Sequence, residues 1–285
     1  MRRRALLCLL AAGSAHAASA QPAPLVYPLH DPGRIPQWHY LQDVLKLAIA
    51  RSGADYELLE SSMPMTQARV VRELADRSGR VDLAWTMTSI EREAQLLPVR
   101  VPMDRGLIGC RIAFVRGEDA ERWRDLRELN ELARYVAGQG QDWPDTAILR
   151  ANGLPVQGIS RYESLFDMLR LRRIDYFPRA VFEIDDEAST PLAHDLVIEP
   201  HILLRYPAAS YLFVRPDRPG LAAELQRGLD AATADGSLAR LFQQYFGDLL
   251  RRHQVARRRQ LLLKNPLLPP ETPLHKPAYW LVIDG

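Results

Sequence analysis

The sequence predicts an α/β protein of two lobes, each an open, mostly parallel sheet flanked by helices, with two strands forming the hinge between them. Three observations predict it. Short apolar runs alternate with amphipathic stretches in a β-α-β-α-β order over the first ninety residues. A second such set occupies roughly 108–203, and Leu221–Phe246 supplies two closing helices split at Asp235-Gly236. No internal repeat or low-complexity block interrupts this. A chain of 285 residues that is 47% hydrophobic and 25% charged is also no disordered, collagen-like or disulfide-scaffold protein.

Residues 1–20 are set apart first. Met1-Arg2-Arg3-Arg4 is a basic start, Ala5–Ala12 a short apolar core, and Ala18-Ser19-Ala20 a small-x-small cleavage site. The apolar stretch is too short to span a bilayer, so the segment reads as a secretory signal peptide. Its removal takes three Arg from 37 basic residues and leaves 34 against 35 acids, which argues against a nucleic-acid surface. No other stretch approaches the ~20 apolar residues of a membrane helix. The expectation is a soluble protein exported to the periplasm.

The elements follow in order. Leu25-Val26-Tyr27 suits a first strand. Trp38–Arg51 sets Leu41, Val44, Leu45, Ala48 and Ile49 on one helical face, ended by Ser52-Gly53. Tyr56–Leu59 suits a strand, Thr66–Ser78 a helix, and Val81–Trp85 a third strand. Leu107–Val115 is a longer apolar run holding Cys110, which reads as a buried strand thiol; once Cys8 leaves with the signal, no internal disulfide is possible. Asp119–Leu132 reads as surface helix, Tyr135–Ala137 as a lead into Gly138-Gln139-Gly140, and Asp145–Ala151 as helix. Tyr162–Arg172 is amphipathic, Ile174–Phe177 follows as a strand, and Tyr211–Val214 is another. From Arg251 a basic helix is expected, then a Pro-rich extension over 265–273 along the surface. Hinge crossings near 103–108 and 203–209 divide the chain into lobe 1 (21–105 and 207–250), lobe 2 (106–206) and a tail (251–285). Two such lobes suggest a hinged ligand binder, because a cleft at the carboxyl ends of strands buries a small molecule on closure.

Three segments carry a family resemblance. Val81–Glu93 (VDLAWTMTSIERE), Arg173–Phe177 (RIDYF) and above all Ala234–Gly247 (ADGSLARLFQQYFG) resemble the family 3 periplasmic solute-binding proteins of the polar amino-acid type, which have the type 2 periplasmic-binding fold. The likeness frames roughly residues 24–250 and leaves the tail outside. It implies capture of a small carboxylate-bearing ligand, amino-acid-like or organic acid, and its presentation to an inner-membrane ABC permease or a sensor, by a monomer. It places Arg92 as the carboxylate grip, with Thr86 or Thr88 beside it; a planar guanidinium offers paired donors that Lys cannot match. The bland alternative is a surface ion pair with Glu91 or Glu93. Gly138–Thr146 occupies the place of the family's second-lobe loop, where backbone N–H groups meet an anion. Gly140, Asp142, Trp143 and Thr146 are its candidates, although an ordinary capped turn reads the same.

Two departures follow. Many amino-acid binders carry an Asp after the RIDYF strand to pair with the ligand ammonium. Here Arg179 stands near that place, with Glu183 four residues on. An Arg179 facing Arg92 across the cleft favours an anionic guest; an Arg179 paired to Glu183 or Asp185 is the alternative. At the opening, Tyr27, Asp31, Arg34 and Trp38 replace the family's usual approach to the first helix, making Tyr27 a contact candidate and Trp85 a wall candidate. No HExxH, Cys/His cluster, G-x-S-x-G or complete phosphate-loop motif occurs, so the sequence names no metal, cofactor or catalytic set. A periplasmic enzyme of cyclohexadienyl-dehydratase type would need an acid such as Glu183 or Glu199. A third reading has the Arg251–Arg259 stretch binding a partner or anionic lipid.

Overall fold

The computed structural model describes residues 22–29 and 35–283. The signal-peptide reading, Asp31 and Arg34 lie outside the described residues.

Strand β1 (Ala23–Leu29) leads to helix α1 (Ile35–Ser52), β2 (Tyr56–Pro64), α2 (Gln67–Ala75), β3 (Leu83–Met87), α3 (Ile90–Gln95) and β4 (Leu97–Val99). The predicted face of α1 is the buried one: Val44, Leu45 and Ala48 are fully enclosed. Burying each such aliphatic side chain contributes about 1.5–3 kcal/mol. Thr66 caps α2, its hydroxyl accepting from the Arg69 amide at 3.4 Å. β1 and β2 pair in parallel, and β1 reaches β3 through the Val26–Asp82 backbone contact.

The chain then crosses over. β5 (Cys110–Arg116), α4 (Leu129–Leu132), β6 (Ala137–Gly140), α5 (Pro144–Ala151), β7 (Val156–Ile159), α6 (Tyr162–Arg170), β8 (Phe177–Ala180), α7 (Ile184–Ala188), β9 (Leu196–Ile198) and β10 (Ile202–Arg205) follow. It returns through β11 (Ser210–Val214), α8 (Pro219–Ala234) and α9 (Ser237–Arg252), and ends with β12 (Arg259–Leu262). Gly236, at φ 75°, makes the break between α8 and α9 in a conformation that glycine adopts without strain.

The sheets are mixed. β1–β2, β6–β7 and β10–β12 are parallel pairs, while β5 runs antiparallel to β8, β9 and β10, and β11 antiparallel to β3 and β4. The antiparallel members β5 and β11 are those that follow a crossover, so they enter each sheet from the hinge side.

The crossovers lie side by side. The Met103 amide donates to the Ser210 carbonyl at 2.9 Å and the Tyr206 amide to the Gly109 carbonyl at 3.1 Å. Beneath them Asp104, 3% exposed, accepts from the amides of Gly106, Ile108 and Ser210. Burial raises its carboxyl pKa despite those donors.

Three expectations are corrected. Asp119–Leu132 is no surface helix but a 3₁₀ segment, Gly117–Trp123, followed by the single turn α4. Trp123 is buried, and Asp119 turns inward to accept from Arg116 at 2.6 Å, so the acids and bases there are not one solvated face. The strand expected at 174–177 forms three residues later, as β8. Asp175 instead accepts the Val136 amide at 2.8 Å, and Arg179 pairs opposite Ile112 of β5. The stretch from Arg251 to Arg259 is no continuous helix, with only a 3₁₀ turn, Val255–Arg257, beyond the end of α9. α9 stops at Arg252, Gln254 adopts φ 49°, and β12 adds an edge strand to lobe 2. Arg258 is buried there, donating at 2.8 Å to the His253 carbonyl and pairing with Glu199 at 3.6 Å, which anchors this segment against the body.

Candidate functional site

A cleft of about 940 Å³ opens between the lobes, large enough to enclose an amino acid. From lobe 1 the end of β3 brings Trp85, Thr86 and Met87, and α3 brings Arg92. Ser89 caps α3, accepting from the Arg92 amide at 3.2 Å, which fixes where that side chain starts. The guanidinium then turns back over β3. It donates to the Met87 carbonyl, and at 3.0 Å to Oε1 of Gln67 at the start of α2. Among the described residues Arg92 has no carboxylate within ion-pair distance. Burial lowers its pKa, with only the more distant charge of Glu91 opposing. Beside it Thr86 is 6% exposed and its hydroxyl has no hydrogen-bond partner. A half-buried cation with spare donors and an orphaned hydroxyl together suit an anion.

The alternative, a surface ion pair of Arg92 with Glu91 or Glu93, does not form. Glu93 is occupied by Arg100 and by the Thr88 hydroxyl at 2.6 Å. Thr88 is thereby turned into the body of lobe 1, away from the cleft lining. Tyr27 packs its ring against Trp38 and Trp85, and its hydroxyl accepts from Gln42 at 2.9 Å, so it supports the Trp85 wall from behind.

The lobe 2 wall is an ion network. Arg179 on β8 lines the cleft at 4% exposure, but Glu187 clasps it through Nε and Nη2 at 2.5–2.9 Å and Glu183 adds a contact at 3.0 Å. Its guanidinium stacks over the Trp143 ring, 4.7 Å from the centroid. Arg111 on β5, 5% exposed, meets Asp145 at 2.8 Å and Glu183 at 3.5 Å, and donates to the Tyr206 hydroxyl at 2.9 Å. Burial opposes the charge of both arginines. Asp145, Tyr206 and Glu183 outweigh it at Arg111, and Glu183 and Glu187 at Arg179, so both guanidiniums stay above their ordinary pKa. Among the described residues the wall brings Arg111 and Arg179 together with Asp145, Glu183 and Glu187. Of the two readings of Arg179 the paired one holds, with Glu183 and Glu187 as its partners, whereas Asp185 pairs with Arg252 and His253.

Of the second-lobe loop, Trp143 lines the cleft with Pro144 and Asp145 at the start of α5. Gly140 lies beneath the Trp143 indole, Asp142 is exposed, and the Thr146 hydroxyl donates to the Gly140 carbonyl at 2.7 Å. These three shape the turn rather than the lining. Glu199 sits outside the cleft, accepting from the Ile202 amide at 2.9 Å. The structure adds Arg111, Asp145, Glu187, Gln67 and Tyr162 to the site. Arg111 had a signal in the sequence, a single charge inside the apolar run Gly106–Val115. Among the described residues no group of three or more His, Cys, Asp or Glu side chains could hold a metal ion.

No protein-family profile matches the chain, and no curated protein matches it. Solved structures do. An ancestral arginine-binding protein bound to arginine aligns at 15% identity and TM-score 0.54, covering 80% of this chain and all of that one. The periplasmic VFT2 domain of BvgS from Bordetella pertussis aligns at 18% and 0.57, covering 79% and 93%. The GluR0 ligand-binding core from Nostoc punctiforme, in complex with L-glutamate, aligns at 17% and 0.50, covering 79% and 99%. The chain therefore has the two-lobed α/β fold of the family 3 periplasmic solute-binding proteins. At these identities the likeness is one of fold.

Proposed function

We propose that the protein captures a small amino-acid-like ligand between its lobes, in the periplasm, and presents it to an ABC permease or a membrane sensor. One observation carries the reading: the two faces of the cleft are charge-complementary to a zwitterion. Lobe 1 offers Arg92, without a carboxylate partner among the described residues, and the unpartnered Thr86 hydroxyl. Lobe 2 lines the cleft with the carboxylates of Glu183 and Asp145. A ligand carboxylate on Arg92 and its ammonium toward Glu183 would be held only when the lobes meet, so binding favours the closed form. A phosphate, or a dicarboxylate without an ammonium group, would set negative charge against those carboxylates with no cation to meet them. The ligands named for structures of this fold, arginine, glutamine and L-glutamate, are consistent with the reading.

The test is calorimetry and thermal shift of the mature chain against the L-amino acids, dicarboxylates and phosphate. An amino acid is expected to bind without turnover, and Arg92→Ala to weaken it about 10- to 100-fold, the worth of one or two hydrogen bonds to a charged group. Tight binding of phosphate or of a dicarboxylate that lacks an ammonium group, product formation, or an affinity untouched by Arg92→Ala would overturn it.

A further inference from the structure

A second cavity, of about 350 Å³, shares no lining residue with the cleft. Its floor is the hinge itself: Arg105 and Gly106 from the outward crossover, Tyr206 to Ala208 from the return. Its cover is the tail. Leu262 and Leu263 at the end of β12 form one side; Leu274, Trp280 and Leu281 close the other. The tail is tied down there, because the Leu281 amide donates to the Arg105 carbonyl at 2.8 Å and Trp280 packs on Gly106. The neighbours of known structure span about 80% of this chain, so a segment outside the shared length can serve as such a cover.

The lining is apolar except for two guanidiniums, Arg105 and Arg205. Arg105 donates to the Trp280 carbonyl at 3.0 Å, and Arg205 to Gln260 Oε1 at 2.9 Å and the Leu281 carbonyl at 3.5 Å. Among the described residues, which stop at Ile283, neither has a carboxylate within ion-pair distance. That sets them apart, since the buried Arg111, Arg116, Arg179 and Arg258 each have an acid within 4 Å. Burial also lowers the pKa of Arg105. At the mouth Leu262 and Leu274 are 66% and 52% exposed, an apolar rim that water covers at a cost.

We infer that this hinge cavity is a second binding site, for a small organic anion with an apolar body, such as an aryl or branched-alkyl carboxylate. The volume is at the lower end for small-molecule sites. A neutral apolar guest would bury two guanidiniums without a counter-charge, and a cation would be repelled by both. A carboxylate accepts from both forks while its body covers the leucine and tryptophan walls.

The experiment uses the full mature chain carrying Arg92→Gln, which removes the cleft's own anion grip. The probes are 3-phenylpropanoate, its neutral amide and 3-phenylpropylammonium, titrated by NMR and calorimetry. The carboxylate is expected to bind, with the amide and the amine at least about tenfold weaker, and Arg105→Gln and Arg205→Gln each lowering its affinity about tenfold. Trp280, which lines the same cavity, reports the place of binding: its indole NMR signal should shift on titration with the carboxylate. Absence of binding, equal affinity for acid and amide, or an affinity unmoved by both arginine variants overturns the proposal. So does binding seen only with Arg92 intact, which would put the probe in the cleft. The amino-acid reading of the cleft fails separately, through its own screen.

Discussion

Glu183 and Glu187 both contact Arg179, yet the structure gives them different work, and a pair of isosteric substitutions separates it. Glu187 is 13% exposed and clasps Arg179 through two nitrogens; Glu183 is 20% exposed, contacts Arg179 at 3.0 Å and Arg111 at 3.5 Å, and lines the cleft. Glu187→Gln keeps the shape and removes the charge that compensates a buried guanidinium. Breaking one side of a buried pair costs about 3–5 kcal/mol. Because Glu183 remains, the lower end applies, about 3 kcal/mol. For a protein near this size each kcal/mol moves the melting temperature about 2–4 °C, so the midpoint should fall by about 6–12 °C. Glu183→Gln leaves the clasp intact, and Arg111 keeps Asp145, so it should cost about 1–2 kcal/mol of stability. It removes the acid facing the ligand ammonium, and amino-acid affinity should drop about tenfold or more. Thermal unfolding by circular dichroism gives the first quantity, and calorimetry with the tightest amino acid gives the second. Should Glu183→Gln melt as low as Glu187→Gln while binding normally, the division of roles between them is wrong.

Two further outcomes follow from the hinge and the end of α9. Burial depresses the His253 pKa below its ordinary 6.5, opposed by Asp185 at 2.7 Å from Nε2. Stability from that site is present above pH 6.5 and lost as pH falls through the depressed value, so melting temperatures measured from pH 7.5 to 5 should decline, and His253→Gln should flatten the decline. A Cβ at Gly109 would lie 2.0 Å from the Tyr206 carbonyl oxygen, so Gly109→Ala must push the two crossovers apart. Urea unfolding should show a loss of about 1–3 kcal/mol, and a variant as stable as the parent would mean the crossovers are not packed as described.

How much of this is legible in the sequence depends on the range of the physics that fixes each part. The lobe 1 alternation is legible because α1 shows an apolar face at helical spacing and β1–β3 are short apolar runs, both local signals. Burial of Cys110 is legible for the same reason: the thiol sits in an unbroken apolar run, and burial pushes its pKa up to about 12. β12 is not. RQLL has no strand pattern of its own, and it becomes a strand because β10 presents a free edge and Arg258 finds the carbonyls of His253, Glu199 and Ile202. The Asp119–Leu132 stretch misleads similarly, since its charge pattern reads as a solvated helix while Asp119 is buried against Arg116.

The cleft divides along the same line. Arg92 and Thr86 come from one short segment, so a motif of a dozen residues places them together, and the structure adds that among the described residues Arg92 has no carboxylate in ion-pair range and the Thr86 hydroxyl no hydrogen-bond partner. Arg179 cannot be read that way. Whether it stands as a free cation or a neutralised one depends on Glu187, eight residues on, and its neighbour Arg111 finds its acids 34 and 72 residues away, in Asp145 and Glu183. Arg179 looks, in sequence, like an argument for an anion; folding sets Glu183 and Glu187 against it and Asp145 against its neighbour Arg111, so the wall is no free cationic surface. The sign of a binding surface is a sum over residues that only folding brings within a few ångströms, and in a low-dielectric cleft one uncounted carboxylate is enough to reverse the chemistry of the guest.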